Sequence, residues 1–275
     1  MTTQKLKGGE KPEDIGQKLQ TLWFGAPGSG KTSLLLSYPS PITFVNLDRD
    51  PSELIAMMPE EVEIYYLRIP YDMETTPAIA NKVLNDIDVA ARKAIATSKQ
   101  TGRGSFVLDG FDLLWDYVKI AKLPHAAADQ NLAREYGDAN AWMHGFLSRL
   151  YFSPLQVGLS AMSKEIWKGQ STGSGTFDPD GFRHRGRWLT HEVYLFVPEE
   201  TAPKERPVRT ATTGQSHVAY IRVSKVNEKA LVRMVVPNLS FKTLFKLSYG
   251  SVYDGPTWSP SSIGAEVPVA EPESS

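Results

Sequence analysis

The sequence predicts an α/β fold: a mostly parallel, twisted sheet with helices on both faces and an antiparallel extension toward the C-terminus. Three observations carry this. Apolar runs of strand length alternate with longer stretches of helical spacing between residues 19 and 162. A glycine-rich segment joins the first of these runs directly to a helical one. After residue 190 the runs continue as strands without intervening helices, and such strands extend a sheet antiparallel at one edge. The chain of 275 residues, 41% hydrophobic and 22% charged, suffices for one large domain with a buried core. That composition excludes collagen-like, coiled-coil and wholly disordered chains.

Taken in order, residues 1–18 hold four lysines, three acids and three glycines without apolar periodicity, and are expected to form a flexible arm. The domain proper is expected over 19–250. Strands are predicted at Leu19 to Phe24, Ile42 to Leu47, Val62 to Ile69, Phe106 to Leu108 and Val157 to Met162. Helices are predicted at Lys31 to Ser37, Thr76 to Ser98, Phe111 to Ala121 and Ala139 to Tyr151, with apolar residues recurring at helical spacing. The later strands are Val193 to Val197, Ala219 to Val226 and Ala230 to Val235. Two stretches, Pro124 to Gly137 and Trp167 to Arg187, carry no clear pattern; loops of that length inside a compact domain are usually functional or disordered. Residues 251–275, rich in Pro, Ser and Glu with four acids and no base, are expected to be a disordered acidic tail.

The junction after the first strand reads Gly25-Ala26-Pro27-Gly28-Ser29-Gly30-Lys31-Thr32-Ser33 and satisfies G-x-x-x-x-G-K-[ST] at every fixed position. An apolar strand runs into it and a helical segment out of it, which is the context this phosphate loop requires. The glycines let backbone N–H groups converge on phosphates, and the helix N-terminus adds its positive dipole. Lys31 is placed to reach the β and γ phosphates and Thr32 to ligate Mg²⁺, so ATP and Mg²⁺ are the expected cofactors. A carboxylate for the metal shell is supplied by Ser105-Phe-Val-Leu-Asp109, because a strand ending in Asp presents it at the sheet edge where open α/β sheets bind ligands. For activating water the candidates are Asp48 and Asp50, at the end of the second strand, with Glu53 a turn later.

The order of these elements resembles the RecA-like ATPase core, an AAA-type P-loop domain, and more closely the small phage-encoded RecA-like proteins of single-strand annealing and recombination. The segment Asp48-Arg49-Asp50 is similar to the acid-x-acid segment where such proteins keep the catalytic acid, which implies Asp50 for that role. The strand ending Ser160-Ala-Met-Ser163 falls where the family senses the γ-phosphate, implying Ser160 or Ser163. The two unpatterned stretches fall where RecA-like proteins carry mobile DNA-contacting loops. The second contains Lys168, Arg183, Arg185 and Arg187, flanked by Phe182 and Trp188, and arginine on phosphate beside an aromatic for stacking suits sequence-tolerant single-strand binding. Tyr220-Ile-Arg222-Val-Ser-Lys225 resembles the strand that projects a basic residue onto a neighbouring subunit's nucleotide, implying Lys225, with Arg222 as the alternative.

The resemblance therefore implies an Mg²⁺-dependent, DNA-stimulated ATPase that binds single-stranded DNA and assembles as a ring or filament. Partners would be DNA, further copies of the chain and a single-strand-binding protein engaged by the acidic tail. Two other readings stay open: a nucleotide-gated interaction protein recruiting replication factors through its tail, and a P-loop kinase with residues 167–187 as a lid.

The net charge of -1 speaks against bulk coating of DNA. It hides an uneven distribution, since residues 45–75 hold eight acids and two bases whereas residues 182–248 hold twelve bases and five acids. With no cysteine, disulfides, thiolate nucleophiles and Cys-type metal sites are excluded. The histidines at 125, 144, 184, 191 and 217 form no pair with metal-ligand spacing on one helix face. Trp115, Trp142 and Trp167 are expected to serve packing. A polar start and the lack of a long apolar run predict neither a secretory leader nor a membrane span, and so a cytoplasmic protein, in the host cell if phage-encoded.

Overall fold

A computed structural model describes residues 17–69, 75–123, 136–167, 173–196 and 218–258. The chain runs β1 (Gln20–Gly25), α1 (Lys31–Leu36), β2 (Ile42–Asn46), α2 (Ser52–Ala56), β3 (Ile64–Arg68), α3 (Pro77–Thr101), β4 (Ser105–Asp109), α4 (Phe111–Lys122), α5 (Tyr136–Tyr151), β5 (Gln156–Trp167), β6 (Gly173–Pro179), a 3-10 helix (Arg183–Arg187), β7 (His191–Phe196), β8 (Val218–Ser224), α6 (Glu228–Leu231), β9 (Val235–Pro237) and α7 (Phe241–Tyr249). The sheet order is β3-β2-β4-β5-β1-β7-β8-β9, and off this path β6 pairs with β5. Neighbours from β3 through β7 are parallel, while β7/β8, β8/β9 and β5/β6 are antiparallel. The expected α/β class, mostly parallel sheet and antiparallel extension are all present.

Strand alternation sorts side chains between two cores. Leu22, Phe24, Phe106, Leu108, Val157 and Leu159 face α3, α4 and α5. Trp23, Ile42, Phe44, Val107 and Val193 face α1 and α7 instead. Gly158 lets α1 close onto β5, because a Cβ there would lie 2.7 Å from the Tyr38 ring and 2.9 Å from Leu35. Helix α3 starts where Thr76 accepts a hydrogen bond from the Ile79 N–H, with Pro77 in the first turn, and ends at left-handed Gly102. Those are ordinary start and stop signals.

Several expectations change. Residues 230–235 are not one strand: α6 ends at Leu231, and Asn227 and Arg233 take positive φ values of 53° and 73° to reverse the chain before β9. The helix α7 went unread, although Ser240 caps it through the Thr243 N–H and Gly250 closes it in the left-handed conformation. The stretch 167–187 is not patternless. Beyond Met162, β5 leaves the main sheet and forms a hairpin with β6, from Ser163 opposite Pro179 to Trp167 opposite Gly173. Its many small residues have low strand propensity, and main-chain pairing with β5 overrides that. Residues 124–135 and 168–172 lie outside the described residues.

The domain also outlasts its expected end at 250. The Pro256 carbonyl accepts from the Ser40 N–H at 3.1 Å, and Trp258 is 6% exposed within the α1/α7 core. At the other end Lys18, assigned to the arm, donates to the carbonyls of Tyr151 and Ser153 at 3.1 and 2.8 Å. Replacing Trp258 with Ala is therefore expected to destabilise the domain by about 3 kcal/mol, as for a buried aromatic. A urea-unfolding midpoint unchanged from the parent chain would show that the core ends earlier.

Candidate functional site

The carboxyl ends of β1, β2, β4 and β5 are in register, with Gly25 beside Met162 and Asn46 beside Asp109. The glycine-rich loop between β1 and α1 sits on this edge. Gly25 ends β1 so tightly that a Cβ would lie 2.4 Å from the Leu195 carbonyl oxygen. Gly28 and Gly30 have φ of 77° and 89°, a region that favours glycine. Gly30 is the start of α1, which has no side-chain cap. Pro27, Gly28, Gly30, Lys31, Thr32 and Ser33 line a cleft of about 270 Å³ together with Asp48, Arg49 and Met162. Ala26 accepts from the Ser29 N–H at 3.3 Å, and the buried Ser29 hydroxyl has no hydrogen-bond partner among the described residues.

Lys31 is 7% exposed, and its ammonium donates to the carbonyls of Gly25 and Ala26 at 3.0 and 2.9 Å. Burial pulls its pKa below the ordinary lysine value, while the charges of Asp109, Asp48 and Asp112 oppose that shift. Thr32 Oγ1 donates to Asp109 Oδ2 at 2.5 Å. The other Asp109 oxygen accepts from the Ser160 hydroxyl, which in turn accepts the Gly110 N–H at 3.0 Å. Burial raises the Asp109 pKa, and the Ser160 and Thr32 hydrogen bonds counter it. Both Lys31 and Asp109 thus fall where the sequence places them. Ser160 is bonded to Asp109, whereas Ser163 belongs to the β5/β6 ladder.

The two acids after β2 diverge. Asp48 lines the cleft, but Asp50 is exposed, paired with Arg68 at 2.6 Å and bonded to the Ser52 hydroxyl. The structure therefore brings Asp48, not Asp50, to the phosphate loop. A third acid, not among those expected from the sequence, joins them: Asp112, in the first turn of α4, accepts the Met162 N–H at 3.3 Å. Burial pushes its pKa up to about 6. A carboxylate in the first helical turn directly after the strand that ends in Asp109 is the signal for it in the sequence.

The basic segment is split by burial. Arg183 and Arg187 are exposed, with the Arg187 guanidinium 5.2 Å from the centre of the Trp188 ring. Arg185 is not an exposed DNA contact: it is 4% exposed and paired with Asp178 and Glu192, each at 3.2 Å. Phe182 is likewise core, 1% exposed against Trp115 and His144, so it cannot stack on a base. Lys168 lies outside the described residues. Lys225 donates to the carbonyls of Gly186 and Arg187, and Arg222 is paired with Asp178, so both finger candidates make contacts within their own chain.

Among the described residues no group of three His or acidic side chains could hold a metal ion by itself. His144 accepts from the Trp188 indole at 2.9 Å, and His191 is buried beside Ser248 and Thr190. Trp142 stacks on Phe146 as a packing residue, while His125, His217 and the Trp167 side chain lie outside the described residues. Among the described residues no helix is long and apolar enough to cross a membrane. In comparisons with known proteins, no family model and no curated protein matches the chain.

Two measurements test this arrangement. Arg185→Ala strands Glu192, which is 6% exposed, and is expected to cost about 3 kcal/mol of stability, as when one partner of a buried pair is removed; a midpoint like the parent's would mean that Arg185 is not structural. Asp112 supplies a pH dependence. Native Asp112 holds its proton up to about pH 6 against an ordinary value of 3.8, so the folded state binds more protons between those values. Stability must then fall as pH rises through that window and return on acidification. Asp112→Asn is expected to lack this slope, and parallel stability–pH curves for the two chains would refute the assignment.

Proposed function

We propose that this protein binds and hydrolyses Mg²⁺-ATP in the phosphate-loop cleft as a RecA-like ATPase. In this reading it also binds single-stranded DNA through the segment after β6 and acts in recombination or annealing. The observation that supports this most is the convergence of Lys31, Thr32 and Asp109, drawn from a glycine-rich loop and a separate strand, at one edge of the sheet. The residues fit the cofactor: two glycines in the left-handed region, an uncapped helix start and a buried cation suit a triphosphate. The donor set suits Mg²⁺, which keeps several waters and takes few protein ligands beside phosphate oxygens.

When bound, Mg²⁺ neutralises developing charge on the phosphoryl oxygens. The chain's own groups do the rest. Lys31 brings a positive charge to the phosphates. Asp109, held by Ser160, orients the Thr32 hydroxyl toward the metal position. Asp48, facing the cleft, accepts a proton from attacking water, a role in which Asp50 is disfavoured by its Arg68 pair. Met162 touches Lys31 through its sulfur at 3.7 Å and stands at the root of the β5/β6 hairpin. Nucleotide state and the basic segment beyond the hairpin are thereby mechanically connected. Arg183 and Arg187, exposed and without a carboxylate partner among the described residues, supply phosphate contacts.

Steady-state phosphate release with and without single-stranded DNA, at low and high salt, tests the whole reading. Lys31→Ala is expected to abolish turnover, and Asp48→Asn to lower kcat about 100-fold or more, with Asp50→Asn close to the parent. The Arg183→Ala/Arg187→Ala pair is expected to weaken DNA binding and flatten the slope of log affinity against log salt by roughly 1.4. Phosphoryl transfer to a small acceptor with indifference to DNA would overturn the proposal in favour of a kinase.

A further inference from the structure

A second cavity, about 660 Å³, lies between α4, the start of α5 and the 3-10 helix. This is within the range of small-ligand sites. One wall is aromatic: the Trp115 and Tyr136 rings are 6.1 Å apart and 27° from parallel, and Phe182 backs Trp115 at 5.2 Å. Asn140 adds an amide able both to donate and to accept. At the rim stand Arg183 and His184, both exposed.

The other charges in the cavity largely cancel. Asp116 pairs with Lys119 at 2.6 Å and Asp180 with Lys164 at 2.5 Å, leaving Arg183 without a carboxylate partner among the described residues. The buried Asp112 carboxyl, its pKa raised by desolvation, accepts the Met162 N–H. An aromatic wall, an amide beside it and an exposed guanidinium with no carboxylate partner among the described residues match a base attached to one phosphate. They suit neither an extended anion nor an apolar ligand.

We infer that this cavity receives one nucleotide of a bound single strand, its base against the Trp115 and Tyr136 rings and its phosphate on Arg183. The inference rests on the proposed DNA binding and adds to it a built site in place of a charged loop. The cavity also shares a structural element with the nucleotide cleft: Asp112 lines the cavity and accepts the Met162 N–H, and Met162 lines the cleft. An occupant pressing on Asp112 is one residue from Lys31's surroundings, which offers a route for DNA to alter hydrolysis.

The test uses the full chain and an oligothymidylate carrying 2-aminopurine at several positions, followed by anisotropy for affinity and by 2-aminopurine emission for stacking. Binding to the parent chain is expected to quench the emission. Tyr136→Ala is expected to weaken binding about ten-fold and to lose the quench, in line with the typical value of one base–aromatic stack; Tyr136→Phe, which keeps the ring, retains both. Arg183→Ala, an exposed substitution that does not endanger folding, is expected to weaken binding. Parent-chain binding without quenching, or parent-like affinity in both Tyr136→Ala and Arg183→Ala, would overturn the base site and leave DNA binding standing. No binding of the oligonucleotide by the parent chain would overturn both.

Discussion

The Asp109 carboxylate, 2% exposed at the end of β4, takes one hydroxyl from Thr32 on α1 and another from Ser160 on β5. A carboxylate so buried is costly unless its oxygens are bonded. The two hydroxyls meet that need and in doing so tie three elements together. The strand order makes the clamp necessary: β5 lies between β1 and β4, so the phosphate loop and Asp109 belong to strands that never touch. Ser160 bridges the gap from the intervening strand, and its oxygen also accepts the Gly110 N–H. The positions of Lys31, Thr32 and Asp48 around the cleft all depend on this alignment.

From the same strand the structure reaches outward. Beyond Met162, β5 leaves the sheet and carries β6 with it, so the hairpin is rooted one residue past the cleft that holds Lys31. Asp112 secures that root through the Met162 N–H. Behind the hairpin, Asp178 gathers Arg185 and Arg222, and Glu192 completes the network from β7. These pairs, with Lys225 on the Gly186 and Arg187 carbonyls, hold the 3-10 helix against the sheet. Removal from water makes such pairs poor sources of net stability, but they strongly resist being broken singly. Their effect is to fix the direction in which Arg183 and Arg187 project.

A near-neutral total thus conceals a division of labour. The arginines of the basic stretch are not interchangeable: Arg185 and Arg222 are spent on internal carboxylates, whereas Arg183 and Arg187 keep their guanidinium groups in solvent. The acids divide in the same way, with Asp48 facing the cleft and Asp50 bound by Arg68 at the end of β3. Charge counted along the chain cannot register this, because burial and pairing depend on elements far apart in sequence.

By itself the sequence determined whatever rests on local pattern. The apolar runs of β1 and β4, the Thr76 cap and Gly102 stop of α3, the fixed positions of the glycine-rich loop and the Asp at the end of β4 are each specified within a few residues, and so are legible. The α7 helix was legible too, through its Ser240 and Gly250 signals, but its short length hid it among strands. Tertiary structure decided the rest: that β6 is a strand, that the chain reverses at Asn227 and Arg233, that Trp258 belongs to the core, and which member of each pair of acids or arginines faces solvent. The physical reason is the same throughout. Propensity and periodicity act over one turn or one strand, whereas burial, ion pairing and main-chain pairing with a distant strand depend on partners that only folding brings within reach.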